Sequence, residues 1–339
     1  MTSAEFCDKI IFGDIFMNSY PNPFIPQRAD PYVTRGPDGF YYFTSSYPAF
    51  YNVDAGYDRI ILRKSDTVIG LATAEEHTIW KAHNEGVMSK HIWAPEIHYI
   101  GEKWYIFFAA GEKENVWNIR PFVLVCEGQD PINDKWIELG KMQATEDDEV
   151  SFNSFSLDMT YFEHNNKHYV IWAESIGNSS LFMAEINENE PNKLISKPIL
   201  LTKPEYDWEC VRHRVNEGAS VLKTDDKVYV FFSASGTGAE YCMGMLYADK
   251  NADLMDINSW TKSPVPALQT EDLTDQAGPG HNSFVVDENG DLLIVYHARP
   301  FSHFEKNCGT YCDEPLYDPC RHARIKLVTF DKNGVPNLK

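Results

Sequence analysis

The chain has 339 residues and a formal net charge of −20, from 30 basic and 50 acidic side chains. A surface this acidic repels phosphate backbones and anionic lipids, so nucleic acids and membranes are poor partners, whereas a neutral substrate is compatible with it. Hydrophobic residues make up 43% of the sequence and aromatic residues 14%, which is typical of a globular protein rich in strands. No segment approaches the roughly 20 apolar residues that a membrane-spanning helix needs.

The N-terminal sequence MTSAEFCDKIIFGD lacks the basic stretch and apolar run of a secretory signal peptide. The seven cysteines are odd in number and scattered, a pattern typical of free thiols in a reducing compartment. Together these observations predict a cytoplasmic protein. Cys308, Cys312 and Cys320 lie near His303 and His322. Their spacing lacks the C-x2-C element of structural zinc sites, so incidental thiols in a loop are the favoured interpretation.

A hairpin pattern recurs five times along the chain. Each copy begins with a polar or small residue, runs through an apolar strand and a turn, and returns as an apolar strand rich in aromatic residues. In chain order the copies are DPYVTRGPDGFYYFTSS from Asp30, APEIHYIGEKWYIFFAAG from Ala94, DMTYFEHNNKHYVIWAE from Asp158, EGASVLKTDDKVYVFFSAS from Glu217 and HNSFVVDENGDLLIVYHAR from His281. Successive starts are 64, 64, 59 and 64 residues apart, and a period this regular indicates a repeat architecture.

The repeat unit predicts the fold. Turns at 36–39, 165–167 and 287–291 are rich in Gly, Asn and Asp, which tolerate a left-handed backbone and favour hairpins. Each unit is long enough for a four-stranded blade, so five units predict an all-β fold, a five-bladed β-propeller. One domain over 1–339, with blade openings near 30, 94, 158, 217 and 281, is favoured over two tandem sandwiches, because no linker-like break lies near the middle.

The propeller brings the openings of the five copies together. Its innermost strands line one central channel, so equivalent repeat positions surround the same axis. These positions are Asp30, Ala94, Asp158, Glu217 and His281. Three carboxylates at one channel mouth repel one another, which raises at least one pKa and is typical of metal binding or acid–base chemistry. The alternative, that each acid only caps its own strand, is disfavoured by the matching positions. Two carboxylates in different environments are what glycoside hydrolysis requires.

The sequence resembles glycoside hydrolase family 43 from about residue 30 to its end. The resemblance rests on RADPYV (28–33), HIWAPEIH (91–98), SFSLDMT (154–160), VNEGAS (215–220) and GPGHNSF (278–284). It implies that Asp30 is the general base that activates water, that Glu217 is the general acid, and that Asp158 raises the pKa of the acid and orients it. The family inverts anomeric configuration, so about 6.5–9.5 Å is expected between the carboxyls of Asp30 and Glu217.

The resemblance implies further residues around the sugar. His281 would lie below it and join a calcium or other small ion, with a hydrogen-bonded core histidine as the alternative. Trp93 is a candidate platform for the sugar ring and Phe155 a candidate wall, and both could equally be core aromatics. Arg299 would reach a sugar hydroxyl or a catalytic carboxylate, with an ion pair that closes the propeller as the competing explanation. No cofactor is required.

A finer resemblance, to exo-acting α-L-arabinofuranosidases, concerns the substrate. It rests on GYDRIILRKSDTVIGL (56–71), HIWAPEIHYIGEKWYIFFAAG (91–111), PEYDWE (204–209), YCMGML (241–246) and DPCRHARI (318–325). It implies release of L-arabinofuranose from arabinan, arabino-oligosaccharides or arabinoxylan side chains; a cytoplasmic enzyme would act on imported short oligosaccharides. The segment 301–317 departs from that group. A β-xylosidase of the same family is the nearest alternative, and a non-catalytic sugar-binding propeller is a second. The sequence leaves the oligomeric state open.

Overall fold

The computed structural model describes residues 20–50, 55–304 and 314–339, and most of their regular structure is β-strand. The strands are β1 (Ala29–Arg35), β2 (Tyr41–Ser46), β3 (Arg59–Ser65), β4 (His77–Lys81), β5 (Val87–Ile100), β6 (Lys103–Glu112), β7 (Arg120–Cys126), β8 (Trp136–Lys141), β9 (Ser156–His164), β10 (Lys167–Ser175), β11 (Ser179–Asn187), β12 (Glu190–Leu194), β13 (Ile199–Thr202), β14 (Asn216–Lys223), β15 (Lys227–Ala234), β16 (Cys242–Asp249), β17 (Thr261–Lys262), β18 (Gln276–Val286), β19 (Leu292–Pro300), β20 (His322–Leu327), β21 (Thr329–Phe330) and β22 (Pro336–Asn337).

The helical segments are short. They are α1 (Phe301–Phe304) and five 3-10 turns, at Ile69–Ala72, Asp207–Glu209, Ile257–Ser259, Thr270–Asp272 and Pro315–Tyr317. Within the three described stretches of chain, no helix is long and apolar enough to cross a membrane.

The strands form five antiparallel blades in chain order. Four blades are β1–β4, β5–β8, β9–β12 with β13 added beside β11, and β14–β17, and the fifth contains β18–β20. A segment near the start of the described chain completes the fifth blade, since Ile25 forms an antiparallel bridge with Ala323. There the Ala323 amide donates to the Ile25 carbonyl at 3.0 Å and the Phe24 amide donates to the Ala323 carbonyl at 2.9 Å. The predicted all-β, five-bladed propeller is confirmed.

The hairpin turns lie where the sequence places them. The first and second strands of the first, third and fifth blades are joined across 36–40, 165–166 and 287–291. Gly39, Asn165, Asn166 and Gly290 adopt φ of 84°, 51°, 60° and 89° in these turns, a region that glycine and asparagine enter at low cost.

The core of the propeller lies mainly between neighbouring blades. The described residues form five buried apolar clusters, and a representative one packs Val33 and Phe43 of the first blade against Leu293 and Val295 of the fifth. These four side chains are at most 1% exposed. Burying such side chains contributes roughly 1.5–3 kcal/mol each, so apolar packing holds the blades around the channel and leaves the polar innermost positions for chemistry.

Candidate active site

Each innermost strand has a left-handed residue at an equivalent position of the repeat. These residues have positive φ: Asp30 (53°), Ala94 (44°), Asp158 (55°), Gly218 (54°) and His281 (45°). A register shift against the second strand accompanies each bend. Bulges of this kind redirect a side chain, and a left-handed backbone at a non-glycine residue costs of order 1–3 kcal/mol. The strain recurs around the ring, which indicates that the redirected side chains serve a common site.

The fourth blade differs from the predicted repeat by one position. Its left-handed residue is Gly218, so the structurally equivalent positions are 64, 64, 60 and 63 residues apart. A Cβ at Gly218 would lie 3.1 Å from His281 Nδ1, and the glycine therefore leaves room for that imidazole. Glu217 precedes the bend and takes a place beside the other axial side chains.

Asp30 lies in a positively charged environment. Ser46 Oγ donates to Asp30 Oδ2 at 2.5 Å, and the Ala94 amide donates to Ser46 Oγ at 2.8 Å. Arg321 Nη1 and His281 Nδ1 lie 3.6 Å and 3.5 Å from Asp30 Oδ1. Burial alone would raise the pKa of Asp30. Arg321 and His281 lower it by more than burial raises it, so the pKa falls well below its usual range. Asp30 is therefore ionised at neutral pH.

His297 contacts both Asp30 and Tyr241, and Tyr241 in turn contacts Glu217. Its Nδ1 accepts the backbone amide of Asp30 at 3.1 Å, and burial lowers its pKa to about 4. The neutral ring stacks on Tyr241 with centroids 5.5 Å apart, and the Tyr241 hydroxyl donates to Glu217 Oε1 at 2.9 Å. A Cβ at Gly280 would lie 2.0 Å from the Tyr241 ring, so the glycine of the GPGHN motif makes this arrangement possible.

Glu217 and Asp158 hold their protons more tightly than ordinary carboxyls do. Burial, followed by the charge of Asp30, raises the pKa of Glu217 to about 7, although the hydrogen bond from Tyr241 opposes the rise. Burial and the charges of Glu217 and Asp30 also raise the pKa of Asp158. Asp158 Oδ2 accepts the Gly218 amide at 3.1 Å. The site thus combines an ionised carboxylate with a carboxyl that can donate a proton near neutral pH.

These groups open into one cavity of about 190 Å³. The cavity is lined by Asp30, Trp93, Trp117, Phe155, Leu157, Asp158, Arg212, His213, Val215, Glu217, Ser235, Gly236, Thr237, Tyr241, His281, Glu314, Pro315, Leu316 and Arg321. This volume is well above the roughly 10–15 Å³ that one water molecule needs in the same measure, so the cavity has room for a small ligand.

Both predicted aromatic residues line the cavity. Trp93 is 8% exposed and stacks on His91 with centroids 4.2 Å apart, so it belongs to the core and to the cavity wall at once. Phe155 is partly buried against the same apolar cluster. Trp117 also lines the cavity and is 48% exposed; it lies between β6 and β7, in a segment without a distinctive motif, and the sequence reasoning did not identify it.

Arg299 does not line the cavity. It is 1% exposed, and its Nε lies 2.6 Å from Asp318 Oδ2, so its contacts match the competing ion-pair explanation. The guanidinium beside Asp30 belongs instead to Arg321. Arg321 lies within DPCRHARI, and Tyr241 begins YCMGML; these motifs could have identified both residues.

A second group of potential metal ligands lies behind the cavity. The ligand atoms of His303, Asp318 and Cys320 are within 4.8 Å of one another. Asp318 Oδ2 already contacts Arg299 Nε at 2.6 Å and His303 Nε2 at 2.7 Å, and a guanidinium on that oxygen disfavours a second cation there. Cys308 and Cys312 lie outside the described residues.

A five-bladed propeller with one ionised carboxylate and one carboxyl of raised pKa at the same cavity has the pair of groups that glycoside hydrolysis requires. Residues 20–336 match the family model Glycosyl hydrolases family 43. The chain belongs to this family, as the sequence motifs predict.

Relatives extend the comparison. The chain is 41% identical over 325 residues to the "Extracellular exo-alpha-(1->5)-L-arabinofuranosidase" of Streptomyces avermitilis, covering 94% of this chain and 63% of that protein. It is 45% identical over 287 residues to the protein of the same name from Streptomyces chartreusis, covering 83% of each. The crystal structure of α-L-arabinofuranosidase from Lactobacillus brevis superposes with a TM-score of 0.82 at 40% identity, covering 94% of this chain and 96% of that one. The chain thus spans less than two thirds of the first relative.

The expected cytoplasmic location is contradicted by these relatives, because both Streptomyces proteins are named as extracellular. Two of the cysteines are buried within the fold. Cys126 and Cys242 are free but only 2% and 4% exposed, and burial raises the pKa of Cys242 to about 12. Buried thiols of this kind are chemically inert, so their presence does not require a reducing compartment.

Proposed function

We propose that the protein is an inverting, exo-acting α-L-arabinofuranosidase that releases single L-arabinofuranose units from the ends of arabinan, arabino-oligosaccharides or arabinoxylan side chains. The observation that carries the proposal is the division of pKa values between Asp30 and Glu217 at one cavity. The names of the relatives support the arabinofuranoside over the xyloside alternative. They also support α-1,5 linkages and action outside the cell.

In the proposed reaction Asp30 removes a proton from the attacking water. Its ionised state, maintained by Arg321, suits this role. Glu217 donates a proton to the glycosidic oxygen as the bond to the anomeric carbon breaks. Asp158, whose Oδ2 accepts the amide of the adjacent Gly218, raises the pKa of the acid and orients it. Water enters on the face opposite the leaving group, so the released sugar has the inverted configuration.

The proposed reaction needs no cofactor. His281 Nδ1 faces Asp30 and Asp158, at 3.5 Å and 3.6 Å, which leaves Nε2 as the nitrogen that would hold a channel ion. Histidine with few oxygen ligands is a poor calcium site, so we assign His281 first to orienting the two carboxylates.

The test is a direct comparison of substrates. Purified protein is assayed on p-nitrophenyl α-L-arabinofuranoside, on the β-D-xyloside and on linear α-1,5-arabino-oligosaccharides. We expect the arabinofuranoside rate to dominate, arabinose to be the first product from the oligosaccharides, and proton NMR to show β-L-arabinofuranose before it mutarotates. A dominant xyloside rate would replace the proposal by a β-xylosidase, and binding of sugar without hydrolysis would leave a non-catalytic propeller.

A further inference from the structure

Arg299 joins three segments of chain behind the cavity. Its Nε contacts Asp318 Oδ2 at 2.6 Å, its Nη1 donates to the Thr237 carbonyl at 2.5 Å, and its Nη2 donates to the Pro315 carbonyl at 2.9 Å. Thr237 and Pro315 both line the cavity. A guanidinium presents its donors in a rigid planar fork, so this side chain sets the spacing between two separate parts of the cavity wall.

Asp318 links Arg299 to the stretch of chain that contains Arg321, the cation beside Asp30. Its Oδ1 accepts the Cys320 amide at 2.8 Å, while its Oδ2 contacts Arg299. The chain then reaches Arg321, whose Nη2 donates to the Tyr57 hydroxyl at 2.6 Å and whose Nη1 lies 3.6 Å from Asp30 Oδ1. One short segment, 314–321, therefore contains a piece of the cavity wall, its buried anchor and the cation beside Asp30.

We propose that the Arg299–Asp318 ion pair is a positioning device that holds segment 314–321 in place, and thereby fixes both the width of the sugar cavity and the placement of Arg321 beside Asp30. This inference rests on the proposed function, because the cavity and Asp30 are read as those of a glycosidase. Neither member of the pair contacts the sugar cavity through its own side chain; both act through Thr237, Pro315 and Arg321.

A purely structural ion pair is the competing explanation, and pH dependence separates the two. The charged and titratable groups around Asp30 are Arg321, His281, His297, Asp158, Glu217, Tyr57 and Tyr241. Of these, only Arg321 belongs to the segment that Arg299 and Asp318 hold. Loosening the segment should therefore remove one specific charge from Asp30, and general destabilisation of the fold should not.

The experiment compares Arg299→Lys and Asp318→Asn with the unmodified enzyme on p-nitrophenyl α-L-arabinofuranoside across pH. We expect KM to rise about tenfold, since small displacements of a binding wall weaken productive binding strongly. We also expect the acidic limb of the kcat/KM profile to move to higher pH, because a general base with a raised pKa loses activity earlier on acidification.

A third variant keeps the test decisive if the buried substitutions prevent folding. Pro315→Gly loosens the wall from its accessible side and leaves both ionic groups intact. It should reproduce the rise in KM with little change of Tm. An unchanged KM in this variant and in any folded Arg299 or Asp318 variant would overturn the proposal.

The matched control is Glu76→Gln, which breaks ion pairs with Arg28 and Arg63 at a carboxylate that does not line the cavity. We expect it to lower Tm without moving KM or the pH profile. If Glu76→Gln produced the same kinetic changes, the effect would be one of general stability and the positioning role would be refuted. Failure of the proposed function is distinguishable, because then the unmodified enzyme would release no arabinose.

Discussion

The openings of the first and fourth blades contain the same kind of side chain in opposite chemical states. Asp30 is surrounded by Arg321, His281 and the neutral His297, and its pKa falls well below the usual range. Glu217 accepts a hydrogen bond from the neutral Tyr241, and burial raises its pKa to about 7 although Tyr241 and Arg321 oppose the rise. The repeat brings the carboxyls to one axis, and the side chains around each carboxyl, with Arg321 and Tyr241 from outside the repeat copies, set their different pKa values.

The largest expected effect comes from removing the acid. Glu217→Gln keeps the shape of the side chain but cannot donate a carboxyl proton, so kcat on arabino-oligosaccharides should fall by about 10²–10⁴-fold. The loss on p-nitrophenyl arabinofuranoside should be smaller, because nitrophenolate leaves with little protonation. Steady-state kinetics on both substrates measure the difference.

Asp30→Asn is the companion variant for this prediction. A base acts on water and not on the leaving group, so its loss should be equally large on both substrates. Equal losses on the two substrates for Glu217→Gln, or substrate-dependent losses for Asp30→Asn, would reverse or remove the assigned roles. Thermal unfolding of each variant shows whether it is folded.

A smaller effect is expected when the cation beside Asp30 is removed. Arg321→Met deletes an opposite charge 3.6 Å from Asp30 Oδ1, and loss of such a charge raises a carboxyl pKa by about 1–3 units. Because Asp30 acts in its ionised form, the acidic limb of kcat/KM should move up by a similar number of pH units. Arg324→Met is the matched control: Arg324 is also buried, on β20, but does not line the cavity. An acidic limb that stays in place for Arg321→Met would show that Arg321 does not set the state of Asp30.

The smallest effect is expected at Glu217, the carboxyl with the raised pKa. The Tyr241 hydroxyl lowers the pKa of Glu217, and Tyr241→Phe removes it while keeping a ring to stack on His297. The pKa of Glu217 should rise, so the acid stays protonated to higher pH and the basic limb of kcat should move up by about one unit. Tyr42→Phe, which removes a phenol-to-carboxylate bond with Asp38 away from the cavity, should leave the profile unchanged. A downward shift for Tyr241→Phe would contradict the assignment.

The fold could be predicted from the sequence because local features, the turn residues and the strand pattern, mark each repeat. Turn residues such as Gly39, Asn165 and Gly290 mark each hairpin, and a regular period needs no knowledge of tertiary contacts. The same reasoning located Asp30, Asp158 and His281 at equivalent bends. It aligned Glu217, and not Gly218, with the other blade openings, because Glu217 is acidic like Asp30 and Asp158. The sequence alone does not show that Gly218 has a left-handed backbone.

The electrostatic partners were harder to predict because they come from distant parts of the chain. Arg299 ends the last repeat and was predicted as a substrate or carboxylate contact, yet its contacts are with Asp318 and two carbonyls. Arg321 reaches Asp30 across 291 positions. The spacing of Arg299 and Arg321 in the sequence does not show which of them lies beside Asp30. That depends on the path of the segment between them.

The bridge between Ile25 and Ala323 determines the stage of synthesis at which the propeller can close. During synthesis the ring stays open until the strand containing Ala323 emerges, by which time Asp30, Asp158 and Glu217 have long been available. Arg321 immediately precedes that strand and is made just before it. The chain therefore acquires the cation beside Asp30 only as the ring closes, although all three acids are made well before that point.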